Sequence, residues 1–371
     1  MSGDELHRDD HSSHVAVERR SNLLIAACEP EWEIAVRDDL RRQLPSAVCD
    51  VEATGWVRAA GDIQSANFYA GFARQMLPHA VEVSQPSISK TAAVIAQEIG
   101  QRLDQQSGPW RWQVFSVPQP AFAGAAGLRR CELLQDAVLE QLGKRYRRLA
   151  KRANVDSRAG YEPDESLAQF GVLSVERGFV SVLTPDELSF WKHAVSSWRG
   201  GDLEVPHDRA APSRACQKLY EVETRYGRPF ARGEKCVDLG ASPGGWTWVA
   251  LQRGASVIAV DRSPLREDLM DHPRVQFVSG DAFKFAPPEQ VDWLLSDIIA
   301  FPPRIFELLE HWIGQKWCRR FCVTIKFRGR DDDHWLGRFA ELLAQTTSDF
   351  ELRRLKVNHN EATVVGTVKS D

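Results

Sequence analysis

The pattern of apolar and polar positions changes near residue 235. Beyond it, short apolar runs alternate with segments of helical spacing, which is typical of a doubly wound α/β sheet. The runs predict strands at 236–239, 256–260, 275–278, 293–296, 320–326, 352–356 and 362–368. Helices are predicted at 247–253, 303–317 and 335–346. We expect a mostly parallel sheet whose last pair of strands is antiparallel.

The first half of the chain mixes strands and helices without regular alternation, so it is predicted to be α+β. Strands are expected at 22–27, 48–51, 55–60, 81–84 and 110–117, and helices at 31–44, 89–103 and 128–152. A hairpin is predicted with its turn at Arg177–Gly178. A segment rich in Gly, Ser, Pro and charge indicates a linker. The predicted divisions are a disordered tail at 1–21, a first domain at 22–195, a linker at 196–210 and a second domain at 211–371.

Length and composition agree with two domains, because the chain has 371 residues of which 43% are hydrophobic. No apolar run reaches the roughly 18 residues of a membrane span, and the polar N-terminus does not resemble a secretory signal. The 7 scattered cysteines favour reduced thiols and a cytoplasmic protein. Cys318 and Cys322 are close, but nothing nearby completes a zinc set, so no metal is predicted.

The net charge of −4 argues against non-specific nucleic-acid binding by the whole molecule, so RNA would need a local basic face. One candidate is the basic segment, residues 144–152, in which six of nine residues are Lys or Arg and Tyr146 is interleaved. RNA phosphates are one natural partner for such a surface. A solvated helix end explains the same charges equally well.

The strongest chemical signal is a glycine turn that follows the strand at 236–239 and opens a helix. Pro243 fixes the backbone there, and glycines at 240, 244 and 245 allow close approach of a ligand. Their spacing matches neither the dinucleotide fingerprint nor a phosphate-binding P-loop. The remaining candidate is S-adenosylmethionine, which needs backbone approach to its amino-acid part.

Three acidic residues end successive strands and should meet at one sheet edge. Asp261 is placed to accept both ribose hydroxyls, and Asp281 could accept from an adenine amino group. Asp297 ends the fourth strand. Each could instead be a helix N-cap, but three of them beside this turn favour a binding site. Ser213 is separately predicted to cap a helix that runs to about Arg225 and carries Lys218.

The stretch Asp238-Leu-Gly-Ala-Ser-Pro-Gly-Gly-Trp246 resembles the cofactor motif of FtsJ-type RNA ribose 2′-O-methyltransferases. The resemblance implies a C-terminal Rossmann-like domain with S-adenosyl-L-methionine as cofactor. It also implies a catalytic set around the target hydroxyl, which maps to Lys218, Asp297, Lys326 and Glu361. The cofactor-binding residues it suggests are Ser213, Asp238, Gly240, Ala241, Pro243, Gly244, Gly245, Trp246, Asp261, Asp281 and Asp297.

Ahead of Lys218, the stretch Ala211-Pro-Ser-Arg214 resembles the corresponding segment of bacterial family members that act on large-subunit ribosomal RNA. These carry a THUMP-type RNA-binding domain before the catalytic one, and residues 22–195 have the right length and order for it. The resemblance implies 2′-O-methylation of a cytidine of 23S ribosomal RNA, free or in a precursor particle, with no DNA partner. It assigns Lys326 as general base, oriented by Lys218 and Glu361 and held by Asp297. The chain departs from the family pattern at Ser242 and at 298–302.

Other functions share part of this pattern. An enzyme of the same fold could act on a base, another RNA or a small molecule, although the Pro-Pro-aromatic signature of amino-group methyltransferases does not follow Asp297. A non-catalytic RNA-binding protein could retain the fold, but the intact four-residue set argues against it. The glycine spacing excludes a nicotinamide-dependent dehydrogenase.

Overall fold

The computed structural model describes residues 21–64, 68–118, 125–156, 159–227, 229–329 and 332–370, with the side chains of 125 and 126 excepted. The predicted tail at 1–21 falls outside these ranges apart from Ser21. The described chain forms three sheets of four, five and seven strands. Within these ranges, none of the helices is both long and apolar enough to cross a membrane.

The first sheet is antiparallel and has the order β2-β3-β1-β4. Its elements are β1 (Leu23–Ala27), α1 (Glu33–Gln43), β2 (Ala47–Ala53), β3 (Trp56–Gly61) and β4 (Gln75–Leu77). The helix α1 buries Ala35, Val36 and Leu40. This is the apolar spacing that predicted a helix at 31–44.

The second sheet has the order β5-β9-β8-β6-β7. Its strands are β5 (Val81–Ser84), β6 (Trp110–Ser116), β7 (Ala153–Asn154), β8 (Ser166–Val172) and β9 (Arg177–Leu183). Its helices are α2 (Ile88–Leu103), α3 (Ala125–Arg145), α4 (Arg147–Ala150) and α5 (Pro185–Trp191). The region expected to be one α+β domain therefore contains two separate sheets.

The third sheet has the order β12-β11-β10-β13-β14-β16-β15, with the first five strands parallel and the last two pairings antiparallel. Its strands are β10 (Lys235–Leu239), β11 (Ser256–Asp261), β12 (Val275–Ser279), β13 (Val291–Ser296), β14 (Cys318–Lys326), β15 (Thr347–Arg353) and β16 (Glu361–Val368). Its helices are α6 (Cys216–Tyr226), α7 (Gly245–Gln252), α8 (Glu267–Met270), α9 (Pro302–Gly314) and α10 (Trp335–Thr346). The order reverses at β10, where β11 and β13 flank it, so a ligand crevice is expected there.

The first sheet and the third sheet share one hydrophobic core. The Phe72 ring meets Phe327 edge-on with 5.2 Å between ring centres. The backbone of Gly71 bridges to Arg353, and the Arg354 amide donates to the Gly71 carbonyl. Phe327 directly follows Lys326, so this contact supports the strand end that carries a predicted catalytic residue.

Three predicted elements are wrong in detail. The hairpin turn lies at 173–176, because Gly178 is already inside β9. A Cβ on Gly178 would lie 2.5 Å from the Gly171 carbonyl oxygen, so this glycine serves close strand approach rather than a turn. The strand expected at 352–356 runs from Thr347 to Arg353 instead.

The helix expected at 128–152 is also broken, at Tyr146, whose φ of −130° and ψ of 59° are not helical. Its ring packs directly against Gly100 of α2, where any side chain larger than hydrogen would collide with it. The basic segment therefore spans the end of α3 and all of α4. Lys144, Arg145, Arg147, Arg148 and Lys151 are exposed, and Arg152 is half-buried.

Candidate active site

The glycine turn connects β10 to α7 and is tightly packed. Gly240 and Gly244 have φ of +75° and +110°, a region that glycine adopts readily. A Cβ on Gly240 would lie 2.6 Å from Cγ1 of Ile298, which belongs to the loop after β13. Glycine at position 240 is therefore required for the turn to pack against the Ile298 side chain.

A cavity of about 400 Å³ opens beside this turn. It is lined by nine of the eleven residues predicted to bind a cofactor: Ser213, Asp238, Gly240, Ala241, Pro243, Gly245, Trp246, Asp261 and Asp297. Lys326 also lines it. Four further lining residues were not predicted to belong to the site, because only their position identifies them: Ala215, Ser242, Ile298 and Ile299.

Gly244 and Asp281 are the two predicted residues that do not line the cavity. Gly244 is the N-cap residue of α7. Asp281 caps the short 3₁₀ turn Ala282–Lys284, accepting from the Phe283 amide at 3.1 Å, and Arg262 donates to it at 3.0 Å. That amide is the main cause of the lowered pKa of Asp281, followed by burial, which opposes it, and Arg262. Its predicted contact with adenine stays a prediction.

Asp261 ends β11 and its carboxylate is fixed by two backbone amides. The Ser242 amide donates to Oδ2 at 3.0 Å, and the Ser263 amide donates to Oδ1 at 2.9 Å. Each oxygen keeps a further lone pair for another donor. The side chain is therefore held at the cavity wall with acceptor capacity remaining.

Asp238 is buried at the floor of the cavity. Burial raises the pKa of its carboxyl to about 7, against the opposing hydrogen bond from Thr247. Thr247 Oγ1 donates to Oδ2 at 2.7 Å. Nearby Asp297 and Asp261 raise the pKa further. This carboxyl is therefore close to half-protonated near neutral pH.

Ser213 does not cap the following helix, so that prediction is wrong. The helix α6 begins at Cys216 after Ala215, without a side-chain cap. Ser213 lies against the glycine turn instead, where a Cβ on Gly245 would collide with its hydroxyl oxygen. Packing on the turn, rather than helix capping, fixes the residues before α6.

Lys218, Asp297, Lys326 and Glu361 come together at one end of the third sheet. Lys218 Nζ lies 2.9 Å from Asp297 Oδ1 and 2.6 Å from Glu361 Oε2. Lys326 Nζ lies 3.1 Å from Asp297 Oδ1 and 3.9 Å from Glu361 Oε1, and it donates to the Asp297 carbonyl at 2.9 Å. Two cations and two carboxylates therefore form one connected cluster, which we call the four-residue cluster.

The two lysines of the cluster differ in environment. Burial lowers the pKa of Lys218, but the carboxylates of Asp297 and Glu361 outweigh burial and raise it above its usual value. Lys218 is thereby kept protonated at neutral pH. The Lys326 side chain is 19% exposed against 9% for Lys218, and only Lys326 of the two lines the cavity. Lys326 is thus the lysine that a substrate can reach.

Residues that the sequence did not single out hold the cluster in place. Glu221 on α6 is fully buried and accepts from the Lys356 amide at 2.9 Å, which ties α6 to the segment before β16. Asn358 donates to the Glu361 carbonyl at 3.3 Å. Asp208, in the predicted linker, accepts from Trp248 Nε1 at 2.8 Å and from the Tyr220 hydroxyl at 2.9 Å. Nothing in the sequence shows which distant partner such a residue will have.

The cysteines take no part in the cavity. All seven are free and buried. Burial raises the pKa of Cys318 to about 12, which makes its thiol inert. Over the described ranges, no group of three or more His, Cys, Asp or Glu side chains could hold a metal ion.

The sequence of this chain is similar to those of known methyltransferases. Residues 211–314 match the family model of FtsJ-like methyltransferases. Ribosomal RNA large subunit methyltransferase M of Alkalilimnicola ehrlichii is 41% identical over 135 residues, which are 35% of this chain and 38% of that protein. The protein of the same name from Pseudomonas putida W619 is 35% identical over 199 residues, 50% of this chain and 51% of that protein. The chain thus spans about half, or less, of the relatives it matches.

A putative ribosomal RNA methyltransferase of Plasmodium falciparum has a solved structure that covers 42% of this chain and 97% of its own. Its TM-score is 0.34 at 18% identity, which says nothing about function. The sequence matches carry the assignment. Residues 211–314 therefore match FtsJ-like methyltransferases, and the chain is similar in sequence, over up to half its length, to ribosomal RNA large subunit methyltransferases M.

Proposed function

We propose that this protein methylates a ribose 2′-hydroxyl of large-subunit ribosomal RNA, using S-adenosylmethionine. The observation that carries the proposal is the four-residue cluster, two of whose members, Asp297 and Lys326, line the cavity beside the glycine turn. A methyl donor and a hydroxyl acceptor must meet in line, so a cofactor cavity and a proton-accepting group are needed side by side. The sequence similarity to large subunit methyltransferases M supports ribosomal RNA as the acceptor.

The residues around the cavity fit the cofactor. The backbone of the turn lines the cavity at Gly240, Ala241 and Gly245, where it can approach the amino-acid part of the cofactor. Asp261 keeps acceptor capacity for ribose hydroxyls, and Asp281 on the neighbouring strand end is proposed to receive the adenine amino group. S-adenosylmethionine supplies an electrophilic methyl group on a sulfonium.

We assign the proton transfer to Lys326. In its neutral form, Nζ accepts the proton of the ribose hydroxyl as the bond to the methyl group forms. Asp297 holds this amine through both its carboxylate and its carbonyl oxygen. Lys218, fixed between Asp297 and Glu361, orients both carboxylates and supplies a permanent positive charge near Lys326.

The first part of the chain is proposed to bind the RNA as a THUMP-like domain within residues 22–195, with the basic segment contacting phosphates. Its exposed cations support this role. We further propose a cytidine of 23S ribosomal RNA as target and the cytoplasm as the place of action, for which the seven free cysteines are suitable.

The test is to incubate the purified protein with S-adenosylmethionine and unmodified large-subunit ribosomal RNA, then map 2′-O-methyl groups by resistance to alkaline cleavage. We expect one new methylated ribose, absent from ribosomal RNA of cells that lack the gene. Methyl groups on a base would indicate a different acceptor chemistry. No methyl transfer, with RNA binding retained, would contradict catalysis.

A further inference from the structure

The loop after β13 exposes apolar side chains at the mouth of the cavity. Ten large apolar side chains are exposed among the described residues, and Ile299, at 90%, is the most exposed of them. Phe301, at 40%, belongs to the same short loop. Single exposed apolar residues are ordinary on protein surfaces. Two of them within four residues of Asp297, one lining the cavity, indicate a surface that meets a ligand.

A cation is stacked on this loop. The Arg328 guanidinium lies over the Phe301 ring, 3.0 Å from its centre. Arg328 is exposed, and within the described ranges its side chain has no ion pair; only its backbone amide is bonded, to Asp332 Oδ2 at 3.2 Å. A guanidinium stacked on an aromatic ring has a second face and N–H edges with which it can contact a ligand.

Each member of this pair follows a strand that leads into a residue of the four-residue cluster. Phe301 follows Asp297 by four residues on the loop after β13, and Arg328 follows Lys326 by two residues after β14. These strands are parallel neighbours, so both loops lie at the same sheet edge. The stack therefore lies beside the place where the proposed acceptor hydroxyl must be.

The chemistry of the acceptor identifies what this surface receives. A ribose 2′-hydroxyl is one carbon away from the carbon that carries the base, so a hydroxyl at Lys326 brings its own base against the neighbouring loops. Proteins hold unpaired RNA bases by stacking them on aromatic rings and arginine planes. An isoleucine, a phenylalanine and a planar cation together offer the flat, apolar and positive surface that such a base requires.

We propose that Ile299, Phe301 and Arg328 form a stacking platform for the unpaired base of the nucleotide that is methylated. This inference rests on the proposed function and extends it, because it assigns recognition of the acceptor to residues outside the four-residue cluster. Only a base displaced from a duplex can reach the platform. The enzyme therefore selects a single-stranded nucleotide. Phe301 and Arg328, which do not line the cavity, contribute to RNA binding but not to cofactor binding, whereas Ile299 lies at the border of the two sites.

The experiment compares Phe301→Leu and Arg328→Lys with the wild-type protein in steady-state methylation of unmodified large-subunit ribosomal RNA. Both substitutions keep size or charge but remove a stacking plane. We expect the KM for RNA to rise about tenfold or more, which is the effect expected from the loss of one base stack. The affinity for S-adenosylmethionine, measured by calorimetry, should change less than about twofold. Ile299→Ser should act in the same direction.

The matched controls are Arg338→Lys, since the Arg338 guanidinium lies over Trp335 on α10, and Phe190→Leu, since Phe190 is 49% exposed on α5. Both should leave the KM for RNA unchanged. An unchanged KM in Phe301→Leu and Arg328→Lys would overturn the platform, and so would an equal loss of cofactor affinity, which would assign the loop to the cofactor.

Failure of the proposed function has a different signature. If the wild-type protein transfers no methyl group to ribose, that function is wrong. The platform is then tested directly, by fluorescence titration with a short unpaired oligoribonucleotide. Equal affinities of the wild type and Phe301→Leu would overturn it, and an affinity about tenfold weaker in the variant would support it.

Discussion

The four-residue cluster and the basic segment both contain several cations, but the environments of these cations are opposite. In the cluster, Lys218 and Lys326 each contact the carboxylates of Asp297 and Glu361, and both lysines are largely withdrawn from water. In the basic segment, Arg147, Arg148 and Lys151 are exposed. For the described residues, no ion pair of these three is found.

This difference suits the two groups of cations to different tasks, catalysis and the attraction of RNA. Paired and half-buried cations are fixed in one geometry, which catalysis requires, and salt screens them weakly. Exposed and unpaired cations are mobile and strongly screened, which suits contact with RNA phosphates. We therefore expect substitutions in the cluster or the cavity to change turnover or cofactor affinity, and substitutions in the basic segment to change RNA affinity and its salt dependence.

The largest effect is expected for Lys326→Ala. Removing the proposed base should lower kcat by about 10²- to 10⁴-fold, while calorimetry should show cofactor affinity little changed. The control is Lys235→Ala, whose side chain is 56% exposed and pairs with Glu289 on the surface. Turnover near the wild-type value in Lys326→Ala would refute the assignment of the base.

The next effect is expected for Asp261→Ala. Loss of a charged acceptor for the ribose hydroxyls should weaken binding of S-adenosylmethionine about tenfold to a hundredfold. Calorimetric titration measures this directly. Asp271→Ala, an exposed acid beyond the cavity, serves as control and should bind normally. Unchanged affinity in Asp261→Ala would exclude its ribose role.

A smaller effect is expected in the basic segment. Replacing Arg147, Arg148 and Lys151 together with alanine should reduce the slope of log affinity against log salt by about three, one for each lost phosphate contact. The kcat at saturating RNA should stay the same. The measurement is a filter-binding titration of RNA at several salt concentrations.

Its control replaces Arg129, Lys235 and Arg319 together, since these exposed cations are engaged in surface ion pairs. That variant removes the same charge from elsewhere. Equal salt slopes for the two triple variants would show that total charge, rather than the basic segment, attracts RNA.

The smallest effect is expected for Asp238, which differs from Asp297 of the same cavity. Asp238 is buried and accepts a hydrogen bond from Thr247, whereas Asp297 contacts two lysines. The pKa of Asp238 is raised from 3.8 to about 7, so between these pH values the folded state binds more protons than the unfolded state. The contribution of Asp238 to the free energy of unfolding is therefore fully present at low pH and is lost as the pH rises toward 7.

Asp238→Asn removes the titrating carboxyl. The free energy of unfolding should then fall by about 1 kcal/mol less between pH 5 and 6 than it does in the wild type. Urea unfolding of both proteins at the two pH values measures the difference. Asp271→Asn should leave the decline as it is. A parallel decline in the wild type and Asp238→Asn would show that other groups cause it.

Much of the third sheet was predictable because its signals are local. Six of the seven strands were expected near their observed positions, with β15 displaced toward the N-terminus, and α10 has the predicted bounds, since apolar period and turn residues specify such elements within a few neighbours. The errors have non-local causes. Gly178 indicated a turn, but the strand packed against it required the glycine. The predicted long helix is interrupted at Tyr146, whose ring packs against Gly100 of a different helix.

The residues of the candidate site can also be divided into those with local sequence signals and those recognised only in the folded structure. The glycine turn and the acids at the strand ends were visible in the sequence, because each is a short motif with one chemical purpose. Ile299 and Phe301 were noted only as departures from the family pattern, and none of Ile299, Phe301 and Arg328 was predicted to contact a ligand. An exposed isoleucine and a stacked arginine have meaning only once the loops after two parallel strands are known to be neighbours.

The sequence by itself determined the alternation of strands and helices, the turn at Gly240 and the identity of the charged side chains. Only the tertiary structure decided that Lys218 stays protonated, that Lys326 faces the cavity and that Ser213 lies on the turn. The physical reason is range. Backbone preferences and apolar periodicity act over a few residues, whereas burial, charge pairing and access to a cavity depend on groups that the fold brings together from distant parts of the chain.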